Sequence, residues 1–89
     1  MEWLNREMKK LEFYHADWWG PCRATQPVLV ELKEEGMNIE FIDIEEQEER
    51  AVEAGIMGVP AFVVHKDGEE LTRLMGQQSK ENIKYFMSE

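Results

Sequence analysis

The chain is short of the residues that redox and metal chemistry draw on. Its 89 residues include one cysteine, Cys22, and two histidines, His15 and His65. A single thiol excludes an intramolecular disulfide and any cysteine-rich zinc site. Both histidines fall in predicted strands and no ligands sit at metal spacing. Each therefore reads as a half-exposed strand residue, and neither a metal nor another cofactor is expected. Long apolar runs are also missing, since nothing approaches the roughly 20 residues that cross a bilayer. The stretch Met1-Glu2-Trp3-Leu4-Asn5-Arg6-Glu7-Met8 is too polar for a secretory signal, so a cytoplasmic protein with no membrane partner is expected. Positive charge is scarce, with ten Lys and Arg against 19 Asp and Glu and a formal net charge of −9. Binding to nucleic-acid phosphates wants the opposite sign, and no nucleic-acid partner is expected.

What the chain does contain is ordinary for a folded protein: 43% hydrophobic and 33% charged residues, at a length that suits a single domain over 1–89. The charge is uneven. Residues 31–53 carry ten acids (Glu31, Glu34, Glu35, Glu40, Asp43, Glu45, Glu46, Glu48, Glu49, Glu53) against Lys33 and Arg50. The plain reading is a solvated helix face that keeps the protein soluble. Nothing in the sequence alone supports a basic partner.

The periodicities predict β-α-β-α-β-β-α. Trp3, Leu4 and Met8 stand at helical spacing, which predicts a short N-terminal helix or packed arm over 1–10. Leu11–Ala16 reads as a buried strand. A helix follows from Gly20 to about Glu35, with Cys22, Thr25, Val28, Leu29 and Leu32 on one face, a kink at Pro27 and a stop at Gly36. Asn38–Ile44 is a second strand. Glu45–Ala54 is a short helix with Ala51 and Val52 inward, closing at Gly55. Ala61–His65 and Glu70–Met75 flank the Asp67-Gly68 hairpin signal. Ser79 is the expected N-cap of a last helix, Ser79–Met87, whose inward stripe is Ile83, Phe86 and Met87. A strand–helix–strand start implies a parallel pair, so a four-stranded mixed sheet with helices on both faces is expected.

The stretch that organises the chain is Trp18-Trp19-Gly20-Pro21-Cys22, at the first strand-to-helix junction. Proline fixes φ, and its missing N–H is harmless in a first helical turn. Cys22 then lies where free N–H groups and the helix dipole favour a thiolate. Burial pulls the other way, and sequence does not rank the two effects.

Phe13-Tyr14-His15-Ala16-Asp17-Trp18-Trp19-Gly20-Pro21-Cys22-Arg23 resembles the active-site region of the thioredoxin family, aromatic-x-Ala-x-Trp-Cys-Gly-Pro-Cys-Lys/Arg. Pro27 matches the family's helix-kinking proline. Gly55-Ile56-Met57-Gly58-Val59-Pro60-Ala61 matches its cis-proline loop, Lys66-Asp67-Gly68-Glu69 its late hairpin, and Gly76 a glycine after the last strand. The likeness is collinear from Leu11 to the C-terminus and suits a short thioredoxin- or glutaredoxin-like member. It implies a thioredoxin-like fold in a family of protein-disulfide oxidoreductases that serve cell redox homeostasis.

Two departures bear on activity. Trp19 occupies the place of the cysteine that attacks substrate disulfides, and Cys22 that of the resolving cysteine. Phe13 stands where longer members bury an acid. Indole offers no acidic proton and no usable lone pair, so dithiol turnover is excluded. The family's peptide-pairing surface remains in Trp18, Trp19, Gly20, Pro21, Met57, Gly58, Val59, Pro60 and Gly76, and tryptophan is a frequent binding hot spot. Three readings follow: a redox-inactive module that binds a peptide or protein; a variant of an active thioredoxin whose cysteine at 19 was replaced, its parent reduced by a thioredoxin-reductase-type donor; and monothiol exchange at Cys22. A monomer is expected, although an exposed Trp18-Trp19 pair also suits self-association.

Overall fold

Four strands form one sheet that carries buried apolar residues on both faces. The structure, a computed structural model, describes residues 9–88. Of the predicted N-terminal helix or arm, residues 1–8 lie outside that range, while Lys9 and Lys10 belong to the first strand. In chain order the elements are β1 (Lys9–His15), α1 (Gly20–Glu34), β2 (Ile39–Asp43), α2 (Glu48–Glu53), β3 (Ala61–Lys66), β4 (Glu69–Met75) and α3 (Lys80–Ser88). β1 pairs parallel with β2 and antiparallel with β3, and β3 pairs antiparallel with β4. This is the expected mixed four-stranded sheet with three helices.

Period-two alternation divides the core into two layers. Leu11, Phe13, Phe62 and Val64 face Leu29 and Leu32 of α1 and Ile83 and Met87 of α3. Tyr14, Ile42, Ala61 and Val63 face Ala51 of α2. Helices therefore cover both faces. Phe13 is central to the larger layer: it is fully buried, stacks on Phe62 at 5.1 Å and meets Phe41 edge-on at 5.6 Å.

Helix ends follow local chemistry. After α1 the N–H of Gly36 donates to the Lys33 carbonyl and that of Met37 to the Leu32 carbonyl. After α2 the N–H groups of Gly55 and Ile56 repeat the pattern onto Val52 and Ala51. Such closures need a left-handed residue, and Gly36 and Gly55 supply φ of 106° and 71°. Ser79 caps α3 as expected, its Oγ accepting from the Asn82 N–H at 3.1 Å. The β3–β4 hairpin turns through Asp67 and Gly68, both at positive φ. A bulge beside Val64/His65 shifts the register of β4, and Leu71 is left exposed.

Two expectations about α2 are corrected. The helix begins at Glu48 and not Glu45, because the Asp43 carboxylate accepts from the N–H groups of Glu45 and Glu46 and holds that stretch as a turn. Val52 points outward, 71% exposed, while Ala51 is buried. Successive helical residues stand about 100° apart, so a helix touching the sheet along one line buries only one of the two.

Candidate functional site

The site is built where strand ends converge. β1 and β2 are parallel, so the chain leaves both at one end of the sheet. Tyr14 pairs with Ala61 and Ala61 with Met75, which brings the loop before β3 and the residue after β4 to the same end. Trp18–Cys22, Met57–Pro60 and Gly76 thereby lie at the same end of the sheet although they are far apart in sequence. The N–H of Gly76 donates to the Pro60 carbonyl at 2.9 Å, and the Val59–Pro60 peptide bond is cis.

The first loop is held by its own backbone. Trp19 donates its N–H to the Ala16 carbonyl at 3.0 Å, and its carbonyl accepts from Cys22 and Arg23, each at 3.1 Å. Trp19 is the N-cap of α1, with Gly20 and Pro21 opening the helix and Pro27 inside it. Thr25 Oγ1 adds a bond to the Pro21 carbonyl at 2.8 Å. Asp17 ties the loop to its surroundings: its Oδ1 accepts from Gln26 Nε2 at 3.2 Å and lies 3.0 Å from His15 Nδ1.

These restraints put the two chemically informative side chains in opposite settings. Cys22 is fully buried. Burial pushes its thiol pKa upward and the Asp17 charge adds to the rise, outweighing the hydrogen bond from the Ala16 backbone. Burial and a neighbouring negative charge therefore work against the thiolate at this helix start. Trp19 is 44% exposed and Trp18 64%, the rings meeting edge-to-face at 6.1 Å. Met57 is 93% exposed in the converging loop. The end of the molecule therefore presents apolar surface and no accessible thiol.

Several participants escaped the sequence reading. Trp18 Nε1 donates to Glu45 Oε2 at 3.0 Å, but nothing marked Glu45 out within a run of acids. His15 is buried, at 6% exposure, and not half-exposed, because its ring stacks on Phe13 at 5.2 Å. The fold also brings one ligand atom each of His15, Asp17 and Asp43 within 4.8 Å of one another, residues that no spacing rule connects. The carboxylates of Asp17 and Asp43 already serve Gln26, His15 and backbone amides. On the α2 side of the sheet, Glu12 accepts from Tyr14 Oη and Arg50 and lies 3.0 Å from His65 Nε2. Burial, with Glu12 second, raises the Tyr14 pKa.

This end of the sheet, with a Gly-Pro-Cys helix start and a cis-proline loop, has the architecture of thioredoxins. A point-mutant thioredoxin from Halobacterium salinarum NRC-1 superposes with a TM-score of 0.85 at 30% identity, over 97% of this chain and 78% of that one. Fasciola hepatica thioredoxin superposes with a TM-score of 0.84 at 27% identity, over 94% and 82%. Thioredoxin of Listeria monocytogenes is 36% identical over 73 residues, 79% of this chain and 71% of its own length. The family model for thioredoxin matches residues 4–89. The chain belongs to the thioredoxin family.

Proposed function

We propose that this chain is a redox-inactive member of its family that binds an extended peptide or protein segment at the surface of Trp18, Trp19 and the Met57–Pro60 loop. The observation that carries the reading is the contrast at the helix start: an exposed indole at position 19, and the lone thiol fully buried at position 22. A thiolate that attacks a disulfide forms a mixed disulfide and releases one thiolate. A second thiol must then attack the mixed disulfide to finish the reduction, and this chain has none to offer. Binding asks for less. Among the described residues nothing pairs with the backbone of Met57, Gly58 and Val59, which suits addition of a strand. Exposed tryptophans beside it provide large apolar contact area.

A variant of an active thioredoxin is the second reading, favoured by the 36% identity to a bacterial thioredoxin and by the regular Gly20-Pro21-Cys22 helix start. Monothiol exchange has the least support, since Cys22 is neither accessible nor acidified. Insulin reduction by the chain and by Trp19→Cys separates the first two. No turnover by either supports the binding module, whereas strong turnover by Trp19→Cys alone supports the variant. A pull-down in which Trp19→Ala retains every partner overturns the binding reading.

A further inference from the structure

Beside the Trp18–Met57 surface lies a second feature that no disulfide chemistry uses. A cavity of about 440 Å³ opens between the turn after β2 and α2, lined by Ile44, Glu45, Glu48, Ala51, Val52 and Ile56. A neighbouring one of about 330 Å³ continues past Glu48 and Val52. The wall is apolar where Ile44, Ala51, Val52 and Ile56 meet it, and the glutamates supply the charge. Glu45 joins the cavity to the tryptophan surface through its bond to Trp18 Nε1. Ile56 joins it to the proline loop, since Met57 follows directly.

The carboxylates here are not neutralised from within. Residues 45–53 contain five glutamates and one cation, Arg50. Arg50 is turned to the sheet, where it bonds to Glu40 and Glu12, and to Gln47. Among the described residues none of Glu45, Glu46, Glu48, Glu49 and Glu53 takes part in an ion pair. An apolar wall under unpaired carboxylates matches one kind of side chain: a long aliphatic stem ending in a cation.

From this geometry we infer that the cavity is a specificity pocket for an arginine or lysine of the bound segment, an inference that rests on the binding reading above. Ile56 is four residues from Pro60, at most about 14 Å of extended chain. The cationic residue therefore falls within about four positions of the part of the peptide that lies on Pro60. The chain selects cationic, apolar-flanked segments and rejects acidic ones, because an acid in the pocket meets uncompensated like charge.

A positional-scanning array of immobilised peptides tests this, followed by fluorescence anisotropy on peptides differing only by arginine or glutamine at the scanned position. Enrichment of arginine and lysine at one position is expected, with roughly fivefold tighter binding of the arginine peptide at low salt, the scale of one or two exposed ion pairs. The preference should collapse in Glu45→Gln/Glu48→Gln, whose amide oxygen at 45 can still accept from Trp18. It should persist in Glu34→Gln/Glu81→Gln, which removes the same charge elsewhere. Thermal melts confirm that each variant is folded. Equal loss of preference in both double variants reduces the effect to net charge and overturns the pocket. Capture that depends on Trp19 but ignores the charge of the peptide also overturns the pocket and leaves the binding reading standing. Capture of no array member overturns both.

Discussion

Alkylation of Cys22 by iodoacetamide separates a buried structural thiol from a monothiol catalyst, and its rate follows from the geometry. The side chain has no exposed surface, so the reagent must wait for the first turn of α1 to open. Opening breaks the N–H bonds of Cys22 and Arg23 to the Trp19 carbonyl and the Thr25 Oγ1 bond to the Pro21 carbonyl. At about 1 kcal/mol net for each bond, the open state lies about 3 kcal/mol above the closed one. That corresponds to roughly a hundredfold slower reaction than in urea. The raised pKa belongs to the closed state, so it adds no slowing while both states are protonated, but it shapes the pH profile. In urea the rate levels off near the ordinary thiol pKa of 9.0, whereas in the native chain it keeps climbing beyond that value. The linked stability has the matching sign. It is fully present below the unfolded pKa and is lost as pH rises through the higher folded one. A native rate within about threefold of the urea rate, with a plateau near the same pH, would refute the reasoning and return monothiol chemistry to consideration.

Two further outcomes concern the scaffold. Glu40 is held down from 4.5 to about 2, first by its hydrogen bond from Arg50 and next by that from Lys10. The whole shift is worth about 3 kcal/mol, which screening of a carboxylate one-third exposed reduces to roughly 1–2 kcal/mol. This stabilisation is present above pH 4.5 and is lost as pH falls through about 2. Urea melts of the parent and Arg50→Gln should therefore differ most near neutral pH and converge toward pH 2; a constant gap disproves the assignment. Phe13→Ala empties the stack between His15 and Phe62 and should cost about 3–5 kcal/mol. At roughly 4 °C per kcal/mol, Tm falls by about 12 °C or more. A loss under roughly 1.5 kcal/mol in thermal melts disproves its central place in the core.

Much of this protein is written in local signals. Element order, the α1 start at Gly20-Pro21, the stops at Gly36 and Gly55, the hairpin at Asp67-Gly68 and the cap at Ser79 each depend on a residue and its immediate neighbours. Stoichiometry is equally local: a chain with one cysteine has no resolving partner, however it folds. These features were legible because backbone conformation and residue counts do not wait for distant contacts.

Tertiary structure decided what depends on distance through space. The sequence places Cys22 at a helix start, and only the packed surroundings show that its thiol is fully buried, with burial and the Asp17 charge raising its pKa. Val52 faces solvent and Ala51 the sheet because α2 meets β-strands that the sequence does not place beside it. His15 is buried between Phe13, two residues away, and Phe41, which its ring meets edge-on at 6.2 Å and which only the pairing of β1 with β2 brings there. The turn at 44–47 exists because Asp43 turns its carboxylate back onto two amides. Arg50 reaches across to Glu12 and Glu40 and leaves five glutamates without an ion-pair partner among the described residues, which turns an acidic stretch into a pocket wall. Burial, charge pairing and cavity shape are sums over neighbours, and the fold alone chooses the neighbours.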